Sequence, residues 1–176
     1  MVRAHTLRFL LAALTLVSAA VPARALQLGE SKAQILERHG ARNYLVDAGG
    51  DVAARGHAGA GLPWRVGIRH PVRRTMVARV VLASDLAVAT SGTYEKGAHV
   101  LDPRTGLPAT DVVSMTVVGS DIVEADVHAT AALAMGRSGL ELIEDLDGYE
   151  AYAIFPDLRA SWTSGFDALC EPADAG

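Results

Sequence analysis

Between Asn43 and Val118 the sequence is a series of short β-rich runs, each stopped by glycine, proline, aspartate or serine before it reaches helical length. The runs are residues 43–46, 52–55, 64–68, 77–82, 86–90 and 112–118, with a shorter apolar piece at 99–101. Residues 64–68 alternate apolar with polar or small side chains, the period of a half-buried strand. Only then does a clear helix open. Asp121 with Glu124 three residues later has capping-box spacing, and Gly136 closes the pattern after Met135. A second helix is expected over 140–146, and a hairpin over 149–155 and 159–163 around Pro156-Asp157. An earlier helix over 31–39 is ended by Gly40. Runs of strands followed by helices, without strict βαβ alternation, predict an α+β domain with a largely antiparallel sheet and packed helices.

At 176 residues, half of them hydrophobic and a fifth charged, the chain can bury the core of one domain. Aromatic residues are scarce and small ones abundant, which favours close backbone packing over aromatic platforms. The net charge of -4, with no cluster of Lys and Arg among aromatics, argues against nucleic-acid binding. Cys170 is the single cysteine, so an intramolecular disulfide and a multi-cysteine zinc site are both excluded.

The first residues carry a different signal. Arg3, His5 and Arg8 precede an apolar run over 9–20, and Ala23-Arg24-Ala25 supplies a small-residue end. That plan predicts a secretory signal peptide over 1–25 and a single domain over 26–176. The run is short for a membrane span, and no cysteine follows it for lipid attachment. An exported protein, periplasmic or in the cell envelope, is the resulting expectation; a buried N-terminal helix is the alternative the same run allows.

Four polar segments interrupt the apolar pattern. In Asp47-Ala48-Gly49-Gly50-Asp51 two glycines let backbone amides approach a ligand, and the same residues make a plain hairpin turn. Ala89-Thr90-Ser91-Gly92 ends a strand in hydroxyls, suited to phosphate oxygens or to a capped turn. His99-Val100-Leu101-Asp102-Pro103-Arg104-Thr105-Gly106 offers a group able to titrate near neutrality beside a strong turn; a hydrogen-bonded packing histidine is the alternative. In the helix segment, Asp126 and Thr130 stand four residues apart and share one face. A carboxylate and a hydroxyl so placed can share a small hard cation such as Mg²⁺, though threonine also bonds back to its own helix. His128 lies off that face, which disfavours zinc.

In this order, together with Pro63-Trp64-Arg65-Val66-Gly67-Ile68, the segments resemble the FAD:protein FMN transferase family, the ApbE-type flavin transferases. The resemblance runs from Asn43 to Phe155, and its most specific parts are the His-Val-Leu-Asp-Pro-Arg-Thr-Gly block and the Asp-x-x-x-Thr helix. It implies the C-terminal portion of an ApbE-like, T-fold-like domain. It also implies transfer of FMN from FAD to a Thr or Ser hydroxyl of an acceptor protein, with release of AMP. By resemblance, Asp126 and Thr130 bind Mg²⁺ with a backbone carbonyl from elsewhere, and His99, Val100 and Leu101 line the flavin pocket. Gly49, Gly50, Asp51, Ser91 and Gly92 shape its wall, and Asp126 or His99 assists deprotonation of the acceptor hydroxyl.

The family is about twice as long and carries a Lys-Gly-x-Ala-x-Asp segment that supplies the carbonyl ligand. The corresponding stretch here reads Gly29-Glu30-Ser31-Lys32-Ala33-Gln34. Self-association, or a second chain completing the site, is therefore a further expectation. The rival reading is a non-catalytic FAD- or nucleotide-binding remnant, or a fragment of such an enzyme.

Overall fold

A computed structural model describes residues 32–73, 75–93 and 100–172. In chain order the elements are α1 (Lys32–Arg38), β1 (Tyr44–Ala48), β2 (Asp51–Arg55), β3 (Trp64–Arg69), β4 (Val77–Ala83), β5 (Ala87–Gly92) and β6 (Ser114–Gly119). There follow α2 (Ile122–Met135), a 3₁₀ turn (Gly136–Ser138), α3 (Gly139–Glu144), β7 (Glu150–Ile154), β8 (Ala160–Trp162) and a second 3₁₀ turn (Phe166–Leu169). Six strands form one sheet in the order β1-β2-β5-β6-β7-β8, while β3 and β4 pair as a separate hairpin. Every pairing is antiparallel. The expected α+β architecture is what forms.

The sheet is covered on both faces, and strand alternation decides which residue goes where. Ala87 and Ala89 of β5, Met115 and Val117 of β6, and Ala151 and Ala153 of β7 join Ala125, Ala129, Ala132 and Leu133 of α2 in one core. Val88, Val118, Tyr152 and Ile154, from the same three strands, point the other way. They meet Val66, Ile68, Val81 and Phe166 beneath the β3–β4 hairpin. β6 is buried along its whole length. Alanine facing alanine lets α2 lie close on the sheet, as the small-residue composition implies. Gly139 continues this logic, because a Cβ there would drive into the backbone of Ala132.

Asp121 caps α2 by accepting from the amides of Val123 (2.8 Å) and Glu124 (3.1 Å). The reciprocal half of the expected capping box is replaced: the Glu124 carboxylate accepts from the Tyr149 hydroxyl. Gly136, at φ 70°, ends the helix and donates its amide to Leu133. The second helix starts at Gly139, directly after the 3₁₀ turn, and ends at Glu144 with Asp145 as its C-cap, two residues short of the expected 146. No strand forms at Val100 and Leu101; Leu101 makes only an isolated bridge to Pro108. Among the described residues no helix is long and apolar enough to cross a membrane.

Candidate active site at the end of β5

The β1–β2 connection is a two-residue hairpin turn. Ala48 pairs with Asp51, leaving Gly49 (φ 78°) and Gly50 (φ 107°) as its tip. Both backbone angles lie in the left-handed region, where glycine carries no Cβ penalty. The Asp47 carboxylate accepts from the Gly50 amide at 2.9 Å and fastens the turn. Since β2 runs antiparallel to β5, with Val52 opposite Val88, this tip sits at the same end of the sheet as Thr90, Ser91 and Gly92. The Asp51 carboxylate also accepts from the Thr90 amide at 3.4 Å, tying the two segments together.

At that end, the two faces of β5 present different chemistry. Thr90 follows Val88 on the hairpin side, where its hydroxyl meets that of Thr116 at 2.8 Å. Ser91 follows Ala87 and Ala89 on the helix side, where its hydroxyl meets that of Thr130 at 2.8 Å. α2 runs back over the sheet with Ala125, Ala129, Ala132 and Leu133 buried, leaving Asp126 and Thr130 exposed one turn apart. The helix period thus delivers the carboxylate and hydroxyl to a common accessible face, and strand alternation delivers Ser91 to the same spot. His128 lies elsewhere, with its ring edge-on to Tyr149 at 5.0 Å.

The donors around Thr130 are hard oxygens, the type Mg²⁺ prefers. Among the described residues no three His, Cys, Asp or Glu side chains come together as a metal cluster. A cation at this position would therefore rest on Asp126, Thr130, and oxygens of water, backbone or substrate. Such a sparse protein shell suits Mg²⁺, which keeps several waters and shares phosphates.

On the opposite face a cleft of about 560 Å³ opens between the Gly49-Gly50 turn and β3. Asp47, Gly49, Gly50, Val52, Val88 and Thr90 line one side, and the run from Arg65 to Arg69 lines the other. Its size falls in the range of small-molecule sites. The turn glycines and Thr90 thus belong to the cleft, while Asp126 and Thr130 stand across the sheet from it.

The remaining segment of interest folds as a tight loop. The Asp102 carboxylate accepts from the Arg104 amide (2.8 Å), Nε (3.0 Å) and terminal guanidinium nitrogen (2.9 Å). Those bonds hold its carboxyl below the usual carboxylate range. The Asp102 carbonyl accepts from Gly106 at 2.8 Å, and Arg104 reaches the Met135 carbonyl at the C-terminal end of α2 at 3.5 Å. Val100 packs against the helix-side core, whereas Leu101 is exposed. His99 lies outside the described residues.

Ser91 and Thr130 are therefore brought together, Gly49, Gly50 and Asp51 meet the end of β5 from the side, and Gly92 ends that strand opposite Ser114. The sequence reading missed Thr116, Arg65 and Arg69. For the first, the available signal is a threonine set within the apolar run 112–118. The outward positions of a period-two strand were the signal for the arginines.

The end of β5 thus meets the Gly49-Gly50 turn and its cleft on one face and the oxygen-bearing face of α2 on the other. Residues 29–153 match the ApbE family, and the chain belongs to it. It is 34% identical over 132 residues to the FAD:protein FMN transferase of Escherichia coli K12, covering 69% of this chain and 38% of that protein. It is 36% identical over 157 residues to the protein of that name from Treponema pallidum, covering 78% and 43%. Among solved structures, the flavin transferase ApbE of Vibrio cholerae superposes with a TM-score of 0.68 at 32% identity, over 78% of this chain and 47% of that one. The Pseudomonas stutzeri flavinyl transferase ApbE gives 0.66 at 31%, over 78% and 48%. The chain spans less than half the length of these relatives.

Proposed function

We propose that this chain takes part in Mg²⁺-dependent transfer of FMN from FAD to a threonine or serine hydroxyl of an acceptor protein, releasing AMP. The observation that supports this most is the contact of Ser91 with Thr130, one turn from Asp126, in a chain of the ApbE family. Asp126 and Thr130 would hold Mg²⁺, which when bound neutralises charge on the pyrophosphate. In the reaction the acceptor oxygen forms a bond to the phosphorus of the FMN half. The pyrophosphate P–O bond breaks, and AMP leaves with the bridging oxygen. The hydroxyl proton passes to a base, for which Asp126 and His99 are the candidates. The chain's own work is positioning: the Gly49-Gly50 turn, Asp51 and the end of β5 form a fixed wall, and the cleft beside them takes part of the FAD. Export through residues 1–25 belongs to the same reading: a signal peptide there would carry this chain out of the cytoplasm, where the acceptor must then meet it.

The test uses the full chain with FAD, Mg²⁺ and a threonine-bearing acceptor peptide. AMP release and flavin fluorescence migrating with the peptide are expected, both lost with a chelator and in Asp126→Ala. FAD binding without AMP above the protein-free control would overturn the transferase reading in favour of a binding module. Neither binding nor release would remove both.

A further inference from the structure

We propose that Ser91 is a positioning residue that sets the orientation of the Thr130 hydroxyl toward a cation, an inference that rests on the Mg²⁺ site proposed above. A threonine hydroxyl has one proton to donate and two lone pairs. When its oxygen faces a cation, a lone pair must point at the metal and the proton must point away. On a helix that proton ordinarily returns to the carbonyl four residues back, here that of Asp126. The Ser91 hydroxyl, 2.8 Å from Thr130 Oγ1, offers another acceptor. With Thr130 donating to Ser91, the lone pairs of Thr130 are left to the side shared with Asp126.

The fold makes Ser91 a rigid acceptor. It lies near the end of β5, which pairs with β6 through Gly92 and with β2 at Ala87 and Val88, and it stands opposite the fully buried Met115. Ala87 and Ala89 before it are locked into the core beneath α2, so the strand period aims Ser91 at the helix. The helix is equally fixed, because Ala125 and Ala129, the residues immediately before Asp126 and Thr130, are fully buried. The hydroxyl pair therefore joins two elements whose spacing is set by alanine packing, and Ser91 is the first polar residue beyond that contact on this face of β5. Loss of an outer hydrogen-bond partner of this kind typically weakens metal binding about tenfold or more.

The test is direct Mg²⁺ titration of the full chain by calorimetry, with Mn²⁺ paramagnetic resonance as a second probe. Ser91→Ala is expected to raise the Kd about tenfold, while Ser91→Thr, which keeps the oxygen, restores it. A far-UV melt of each variant registers any general loss of fold, which would weaken Ser91→Ala and Ser91→Thr alike. Mg²⁺ binding by Ser91→Ala equal to the unaltered chain, with binding lost in Asp126→Ala, would overturn the role of Ser91 and leave the cation site standing. Unchanged binding in Asp126→Ala, or no binding by the unaltered chain, would overturn the site and this role with it.

Discussion

The hydroxyls of Ser91 and Thr130 lie 2.8 Å apart across the interface between β5 and α2, where one strand and one helix place each by simple periodicity. Neither contributes much to the core, since Thr130 is exposed and Ser91 half-buried. Thr130→Val, which keeps the shape and removes the oxygen, should change stability by less than about 0.5 kcal/mol. Mg²⁺ binding should nonetheless fall sharply. Urea unfolding and Mg²⁺ calorimetry on the same preparation separate these effects. A large loss of stability would mean that the pair is a structural clasp.

The parts of this arrangement that were legible in the sequence are local. Asp121 and Gly136 bounded α2 because caps and stops act within a turn of the residue that makes them. Gly49-Gly50 marked a hairpin tip because only glycine accepts the backbone angles there cheaply. The Asp126–Thr130 spacing set a shared helix face. What could not be read was pairing over distance. Nothing in residues 64–83 says that β3 and β4 leave the main sheet and fold over its back, so that β2 pairs directly with β5. Thr90, Ser91 and Gly92 consequently looked like one polar cluster, although the strand sends Thr90 to the cleft and Ser91 to the helix. Capping-box spacing likewise points Glu124 to its own helix cap, whereas Tyr149, 25 residues on, takes it.

Close packing of α2 and α3 makes Gly139 a sensitive position. Its own backbone angles, φ -64° and ψ -28°, suit any residue, so alanine would not strain the chain there. The added methyl would instead collide with the backbone of Ala132, which cannot rotate aside as a side chain can. Gly139→Ala should therefore destabilise by about 1–3 kcal/mol, although alanine is the better helix former. A lower urea midpoint at an unchanged slope would register it. A stabilised variant would show that α3 shifts freely against α2.

The loop from Asp102 to Gly106 should loosen in acid. The Arg104 side chain, and then its amide, favour the ionised Asp102 and hold its carboxyl below the ordinary value of about 3.9. A depressed carboxylate contributes stability above its unfolded pKa and loses it as pH falls through the lower folded value. Amide exchange at Arg104 and Gly106, corrected for intrinsic rates, should stay slow at neutral pH and accelerate below about pH 3.9. Asp102→Asn should remove that acid dependence and leave both amides faster throughout.

At the other end of the pH scale the clasp between α1 and β1 should fail. Tyr44 is buried and donates to the Glu37 carboxylate at 2.7 Å, which also accepts from Arg55 at 3.1 Å. Burial first, and that bond second, push the phenol from 10.0 up to about 12. The fold thus favours the neutral phenol. Its contribution is complete below the unfolded pKa of about 10 and disappears as pH rises through the folded value. Absorbance at 295 nm should show a late phenolate transition that Tyr44→Phe removes. The melting temperature of the unaltered chain should fall more steeply between those pH values than that of the variant. Parallel alkaline curves for the two proteins would mean that the bond to Glu37 does not hold α1 against the sheet.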